Sequence, residues 1–402
     1  MKKKTIANVN VTGKTVFMRV DFNVPLEDGQ ITDDRRIRLA LDSIRSVVNR
    51  GGRLILASHL GRPKGIGPEE GLSLAPCAAR LSELLPNTRV RLAPDCIGDA
   101  VDDMVLDMND RDVLLLENLR FHQGEKARDA GFAAQLAALA EIYCQESFGT
   151  AHRKDASMIA VPEEMGLHGA PRVAGFLLVR EIEVLSDAFD NPRHPFVAIL
   201  GGAKVSDKLT AIENVLKRVD AVLIGGGMAY TFLLGQGSTV GDSLVDPDSV
   251  DKSAKLLRRT EKGGAKLLLP LDHVCGQELS ERTPTKTCDH AIPSGWKGLD
   301  IGPKTLQQFT GVIANAKTIY WNGPMGAFEK QPFAAGTRDL AEVIALATRQ
   351  HSLTSIIGGG DSASAVLQFG LADEMTHVST GGGASLHMLE GHKFHAVELL
   401  DG

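Results

Sequence analysis

The chain has 402 residues, 43% apolar and 23% charged, with a net charge of −6. That is the composition of a soluble globular protein too long for one ordinary core, so two domains are expected. The acidic balance argues against general nucleic-acid binding, and any basic site must be local. No stretch reaches the ~18 apolar residues that a membrane helix needs. The basic start Met1–Thr5 has no apolar run behind it, so no secretory signal is expected. Five cysteines, at 77, 96, 144, 275 and 288, are scattered and odd in number, and are expected to be reduced thiols of a cytoplasmic protein.

Thr15–Val20 reads as a strand ending in Asp21, Phe22 and Asn23. Asp33–Arg50 reads as a helix with Ile37, Leu41, Ile44 and Val48 on one face, stopped by Gly51 and Gly52. Arg36 falls in its first turn, where the helix dipole disfavours a cation unless an anion is near. Arg53–Ser58 is a second strand, opening into His59, Leu60, Gly61 and Arg62. After a helix over Ser73–Leu85, Asp112–Glu117 is a strand running into Arg120. Phe132–Leu139 reads as helical, and Glu141–Gln145 leads to Arg153.

Strand, loop and helix alternate, which implies parallel strands with crossover helices and ligands beyond the strand C-termini. Arg36, Arg62, Arg120, Arg153 and His59 then gather on one edge. Arginine's fork suits phosphate and carboxylate, so the cluster is expected to hold a small, multiply anionic substrate. The alternatives are solvated arginines and a satisfied loop histidine. Gly13-Lys14-Thr15 mimics a P-loop tail, but Asn8 stands where the leading glycine is needed.

Arg172–Phe189 reads as a long helix, either an interdomain connector or one more crossover. Phe196–Leu200 is a buried strand, followed by Gly201, Gly202 and a helical segment. Lys204 and Lys208 are four apart and would share a helix face, which suits a phosphorylated ligand. A helix that binds nothing is the alternative. Glycine runs end three more strands, at 225–227, 358–360 and 381–383. Glycine lets backbone N–H groups approach phosphates, and four such turns on one edge point to a nucleotide site. Asp361 can hold Mg²⁺ on phosphates or cap a helix. Glu329, after the Trp321–Gly326 turn, can accept from ribose hydroxyls or be an ordinary surface glutamate.

Eight motifs in order resemble the phosphoglycerate kinase family: Val20–Pro25, His59–Lys64, Leu116–Phe121, Phe148–Arg153, Gly201–Lys208, Trp321–Gly326, Gly358–Asp361 and Ser379–Gly383. The resemblance implies an α/β fold of two Rossmann-like three-layer domains with parallel sheets. It places a 3-phosphoglycerate domain at 1–171, a hinge helix at 172–190 and a nucleotide domain at 191–389, with the tail from about 390 returning to the first. It implies Mg²⁺-dependent transfer of the acyl phosphate of 1,3-bisphosphoglycerate to ADP by a cytoplasmic monomer that closes its domains. Neither nucleic acid nor membrane is expected as a partner.

On matching positions, Asp21, Phe22, Asn23, Arg36, His59, Leu60, Gly61, Arg62, Arg120 and Arg153 would bind the phosphoglycerate. Lys208, Glu329, Gly358, Gly359, Gly360 and Asp361 would bind nucleotide, with Asp361 at the metal. Arg36, Lys204, Gly381, Gly382 and Gly383 would stabilise the phosphoryl group in flight. Glu146-Ser147 departs from the family's usual Asp-Ala, Leu178-Val179-Arg180 from Met-Glu-Lys, and His387 from Glu.

Overall fold

The computed structural model describes residues 3–203, 205–206 and 208–402. The chain divides into two compact units: residues 1–183 with 393–402, and residues 184–392.

Unit 1 is built on six parallel strands: β1 (Thr15–Arg19), β2 (Arg53–Ala57), β3 (Val90–Leu92), β4 (Val113–Leu115), β5 (Ile142–Gln145) and β6 (Arg172–Ala174). Their order in the sheet is β3-β4-β2-β1-β5-β6, and every pairing is parallel. Every residue of β1 and β5 is buried, as expected of strands covered on both faces. Helix α1 (Arg35–Val48) packs Ile37, Ala40, Leu41, Ile44, Val47 and Val48 into the core, a stripe at helical spacing. The chain adds strands on one side of β1 and then on the other. The sheet's switch point therefore lies at the C-terminal ends of β1 and β5.

The expectation of a helix from Arg172 is corrected. Residues Arg172–Ala174 form β6, and the helix, α2, runs over Phe176–Asp190. Three residues paired to Tyr143–Gln145 are too few to show a period, so the strand merged with the helical pattern after it. The boundary between the units, Glu183/Val184, falls inside α2.

Glu146, one of the departures noted above, is buried, and its carboxylate accepts from the N–H groups of Leu177 and Leu178 at the start of α2. It thus satisfies donors that the first helical turn leaves open.

Unit 2 repeats the architecture with β7 (Phe196–Leu200), β8 (Ala221–Ile224), β9 (Lys266–Leu268), β10 (Thr318–Asn322), β11 (Thr354–Gly358) and β12 (His377–Val378). The order is β9-β8-β7-β10-β11-β12, again all parallel. Its switch point lies between β7 and β10. A small antiparallel sheet of His273–Gly276, Thr285–Cys288 and Lys297–Ile301 accompanies it. Helices α3 (Met228–Gly235), α4 (Gly360–Gln368) and α5 (Gly382–Leu389) each start directly after a strand-end glycine loop.

Candidate active site

In unit 1 the expected residues do converge beyond the strand C-termini. Arg36, at the second position of α1, donates to the Asn23 carbonyl at 2.8 Å and pairs with Asp21 at 3.2 Å. Asn23 Oδ1 accepts from the Gly61 N–H at 2.7 Å, which ties the loop after β1 to the loop after β2. Arg120 is buried, donates to the Gly61 carbonyl at 3.0 Å and pairs with Asp155 at 3.4 Å. Its Nε and that of Arg153 are buried without a hydrogen-bond partner among the described residues. Arg62 is exposed and bonds to no described residue.

His59 is buried among these cations. Burial, and then the charges of Arg19, Arg120, Arg153 and Arg36, push its pKa well below the usual histidine range. Its ring is therefore neutral in a strongly positive pocket. The side chains of Phe22 and Leu60 lie in the core, so only their backbone can face a ligand.

Two residues that sequence reasoning passed over hold this arrangement. Arg19, fully buried at the end of β1, donates to Ser157 Oγ at 2.8 Å and to the Val20 carbonyl, and approaches His59. Ser157 in turn donates to the buried carboxylate of Glu125. Asn118 is buried and makes four bonds, accepting from the N–H groups of Leu60 and Arg120 and donating to the carbonyls of Leu60 and Leu72. A charged residue inside an otherwise apolar strand was the available signal for Arg19. Asn118 had none beyond its place next to Arg120.

In unit 2 the loops after β7, β8 and β10 interlock. A Cβ on Gly201 would fall 2.1 Å from the Pro324 carbonyl oxygen, and one on Gly226 would fall 2.6 Å from the Gly202 nitrogen. Likewise a Cβ on Gly382 would meet Gly359 Cα at 2.1 Å. These glycines are thus required by loop packing on loop. At Gly360, by contrast, an added Cβ meets nothing within 4 Å. The result brings the N-termini of α4 and α5 together, with their first-turn N–H groups at one edge.

Lys208 donates to the Gly201 carbonyl at 2.8 Å and to Asn322 Oδ1 at 3.2 Å. The helix here is Leu209–Val215 and Lys208 caps it, so the expectation that Lys204 and Lys208 share a helix face rests on a residue that is not described. Lys204 itself lies outside the described residues. The Gly381 N–H is engaged by Ser379 Oγ at 3.2 Å, which leaves the amides of Gly382 and Gly383 as the ones at the opening of α5.

Glu329 is exposed in a turn closed by the Lys330 N–H on the Ala327 carbonyl. Asp361, at the second position of α4, is exposed, and its carboxylate bonds to no described residue. A free hard-oxygen donor beside open helix N-termini fits Mg²⁺, which takes one or two carboxylates and otherwise keeps water and phosphate oxygens.

A family model for phosphoglycerate kinase matches residues 6–392. The chain is 55% identical over 405 residues to the phosphoglycerate kinase of Rhodopirellula baltica, covering all of both chains. It is 50% identical over 402 residues to that of Chloroherpeton thalassium, covering 100% of this chain and 99% of the relative. Among solved structures, the phosphoglycerate kinase of Coxiella burnetii superposes with a TM-score of 0.81 at 36% identity, and that of Pyrococcus horikoshii with 0.85 at 29%. Each covers 99% of this chain and 98% of the other.

Proposed function

The chain belongs to the phosphoglycerate kinase family, and from that premise we propose how its residues share the reaction. That reaction is the reversible transfer of the acyl phosphate of 1,3-bisphosphoglycerate to ADP, giving 3-phosphoglycerate and ATP, a step of glycolysis.

Unit 1 binds the phosphoglycerate through Arg36, His59, Arg62, Arg120 and Arg153, with Asp21 and Asn23 and the backbone of Phe22, Leu60 and Gly61 shaping the pocket. Unit 2 binds the nucleotide through Lys208, Glu329 and the Gly358–Asp361 loop. The convergence of four arginine charges on a neutral histidine carries this reading, because it suits a ligand with several negative charges and no proton to exchange.

The leaving group in the ATP-forming direction is a carboxylate, which needs no general acid. Fixed charge therefore supplies most of the rate enhancement. Arg36, Lys204 and the amides of Gly382 and Gly383 stabilise the phosphoryl group as it moves. Mg²⁺, held at Asp361 when bound, neutralises phosphate charge. We read the protein as a cytoplasmic monomer acting on small molecules, with neither nucleic acid nor membrane as partner, and its free cysteines support that compartment. Closure of the units about α2 would align the reacting oxygens and exclude water.

The test is ATP consumption with 3-phosphoglycerate, coupled to NADH oxidation, with binding followed by calorimetry. Lys204→Ala is expected to keep both ligands and lose turnover by at least about 100-fold. Asp361→Asn is expected to raise the Mg²⁺ concentration needed for half-maximal rate. Unchanged turnover in Lys204→Ala would sink the charge-stabilising role.

A further inference from the structure

Unit 1 contains a second group of chemistry-bearing side chains that no step above uses. Asp95 and Cys96 follow the C-terminal end of β3, and His122 follows the short helix Leu119–Phe121. One donor atom from each lies within 4.8 Å of the other two. His122 Nε2 is 2.5 Å from Asp95 Oδ1, which also accepts the Cys96 N–H at 2.7 Å. The Cys96 thiol is buried and donates to the Glu117 carbonyl at 2.9 Å.

The plain account is a His–Asp pair with a core cysteine behind it, since free cysteine is often buried. Two further observations favour a ligand. The His122 ring is stacked on Phe132 at 5.1 Å, which fixes its orientation. A cavity of about 630 Å³ opens onto Asp95 and His122, bounded also by Ile66, Phe121 and Gln135. It supplies an entry path to Asp95 and His122, with the buried Cys96 behind them.

We propose that Asp95, Cys96 and His122 form a Zn²⁺ site whose fourth position faces this cavity. Oxygen, sulfur and imidazole nitrogen are zinc's usual donors, and three protein ligands with one open place is the pattern of an accessible site. Donor atoms in a tetrahedral shell with bonds of about 2.0–2.3 Å stand roughly 3.3–3.8 Å apart. The His122–Asp95 pair therefore opens by about 1 Å as the ion enters. On binding, the Sγ–H proton goes to solvent and the bond to the Glu117 carbonyl is lost. The His122 proton then sits on Nδ1, and the Nε2 lone pair joins the ion as hydration waters leave. The site would tie edge strand β3 to the segment that carries Arg120.

Co²⁺ is the probe, because a thiolate ligand produces near-ultraviolet charge-transfer absorption that an all-oxygen site at Asp361 cannot. Titrating the full chain with Co²⁺ is expected to develop that band at one ion per chain, with Zn²⁺ displacing it. Cys96→Ser should abolish the band, and His122→Gln, at a half-exposed position, should keep the band and weaken Co²⁺ binding roughly 10–100-fold. Cys288→Ser, which removes a thiol elsewhere, should change neither. Near-ultraviolet circular dichroism verifies that each variant is folded. No band in the native chain overturns the site, as does a band that survives Cys96→Ser or vanishes only in Cys288→Ser.

Discussion

Arg19 Nη2 lies 3.3 Å from His59 Nδ1, with both side chains buried. A guanidinium can only donate, so Nδ1 accepts and the imidazole carries its proton on Nε2. Arg19 thereby sets the tautomer as well as the charge of His59. A neutral N–H donor is kept in place among cations that would repel an imidazolium.

The ring signals of His59 are therefore expected not to titrate between pH ~5.5 and 8 by NMR, where an unperturbed histidine has its midpoint near 6.5. A midpoint close to that value would refute the assignment. Arg19→Gln is expected to cost about 3–5 kcal/mol, because it removes the cation beside the buried Glu125.

The glycine loops of unit 2 separate packing from ligand approach. Gly382→Ala places a methyl 2.1 Å from Gly359 Cα and is expected to cost about 2 kcal/mol or more in urea unfolding. Gly360→Ala has open space and is expected to leave stability within about 0.5 kcal/mol. If the Gly358–Asp361 backbone approaches the nucleotide, the same Gly360→Ala raises the KM for ATP about 10-fold (roughly 1.4 kcal/mol) and leaves that for 3-phosphoglycerate alone. An unchanged ATP KM would remove this loop from the binding surface.

Two buried carboxylates make stability fall as pH rises. Burial pushes Glu146 up to about 8 and Asp300 up to about 7, against 4.5 and 3.8 for free groups. Between those limits the unfolded chain has released protons that the folded chain retains. Their stabilising contribution is complete below about pH 4, declines as pH rises and is lost above about pH 8. The unfolding free energies from urea titrations at pH 5, 6.5 and 8 should drop in sequence, by an amount on the order of a few kcal/mol. Glu146→Gln, whose amide oxygen still accepts from Leu177 and Leu178, should flatten the unit 1 transition; a slope left intact in that variant would exclude Glu146 as its source.

Asn118→Ala removes the partner of the N–H groups of Leu60 and Arg120 and of the carbonyls of Leu60 and Leu72. The expected loss is about 3 kcal/mol, with a rise in the KM for 3-phosphoglycerate because the His59–Arg62 turn is released. Normal KM with reduced stability would make Asn118 a purely structural clamp.

The parallel alternation of the chain was legible because β1, β2, β7 and β10 are short apolar runs followed by turn residues. From it, Arg62, Arg120 and Arg153 could be placed at strand ends, and Arg36 in the first turn of the helix beside them. What escaped depends on partners far away in sequence. The collision that demands glycine at 382 is with residue 359, and the one at 201 is with residue 324. Arg19 looked like a strand residue until Ser157 and His59 were seen beside it. Strand β6 and the antiparallel sheet over 273–301 gave no periodic signal, since pairing across the sheet defines them.

The segment 393–402 completes unit 1. Phe394 packs edge-on against Phe148, Ala396 joins Met158 and Ile159, and Asp401 bonds to the backbone of Lys4 and Arg172. Unit 1 is therefore discontinuous in sequence, sealed by a segment more than 200 residues beyond Glu183, whereas unit 2 is continuous from 184 to 392. Residues 1–183 alone would leave Phe148, Met158 and Ile159 without that cover, so the unit that comes first in sequence can be consolidated only by a segment that follows the second.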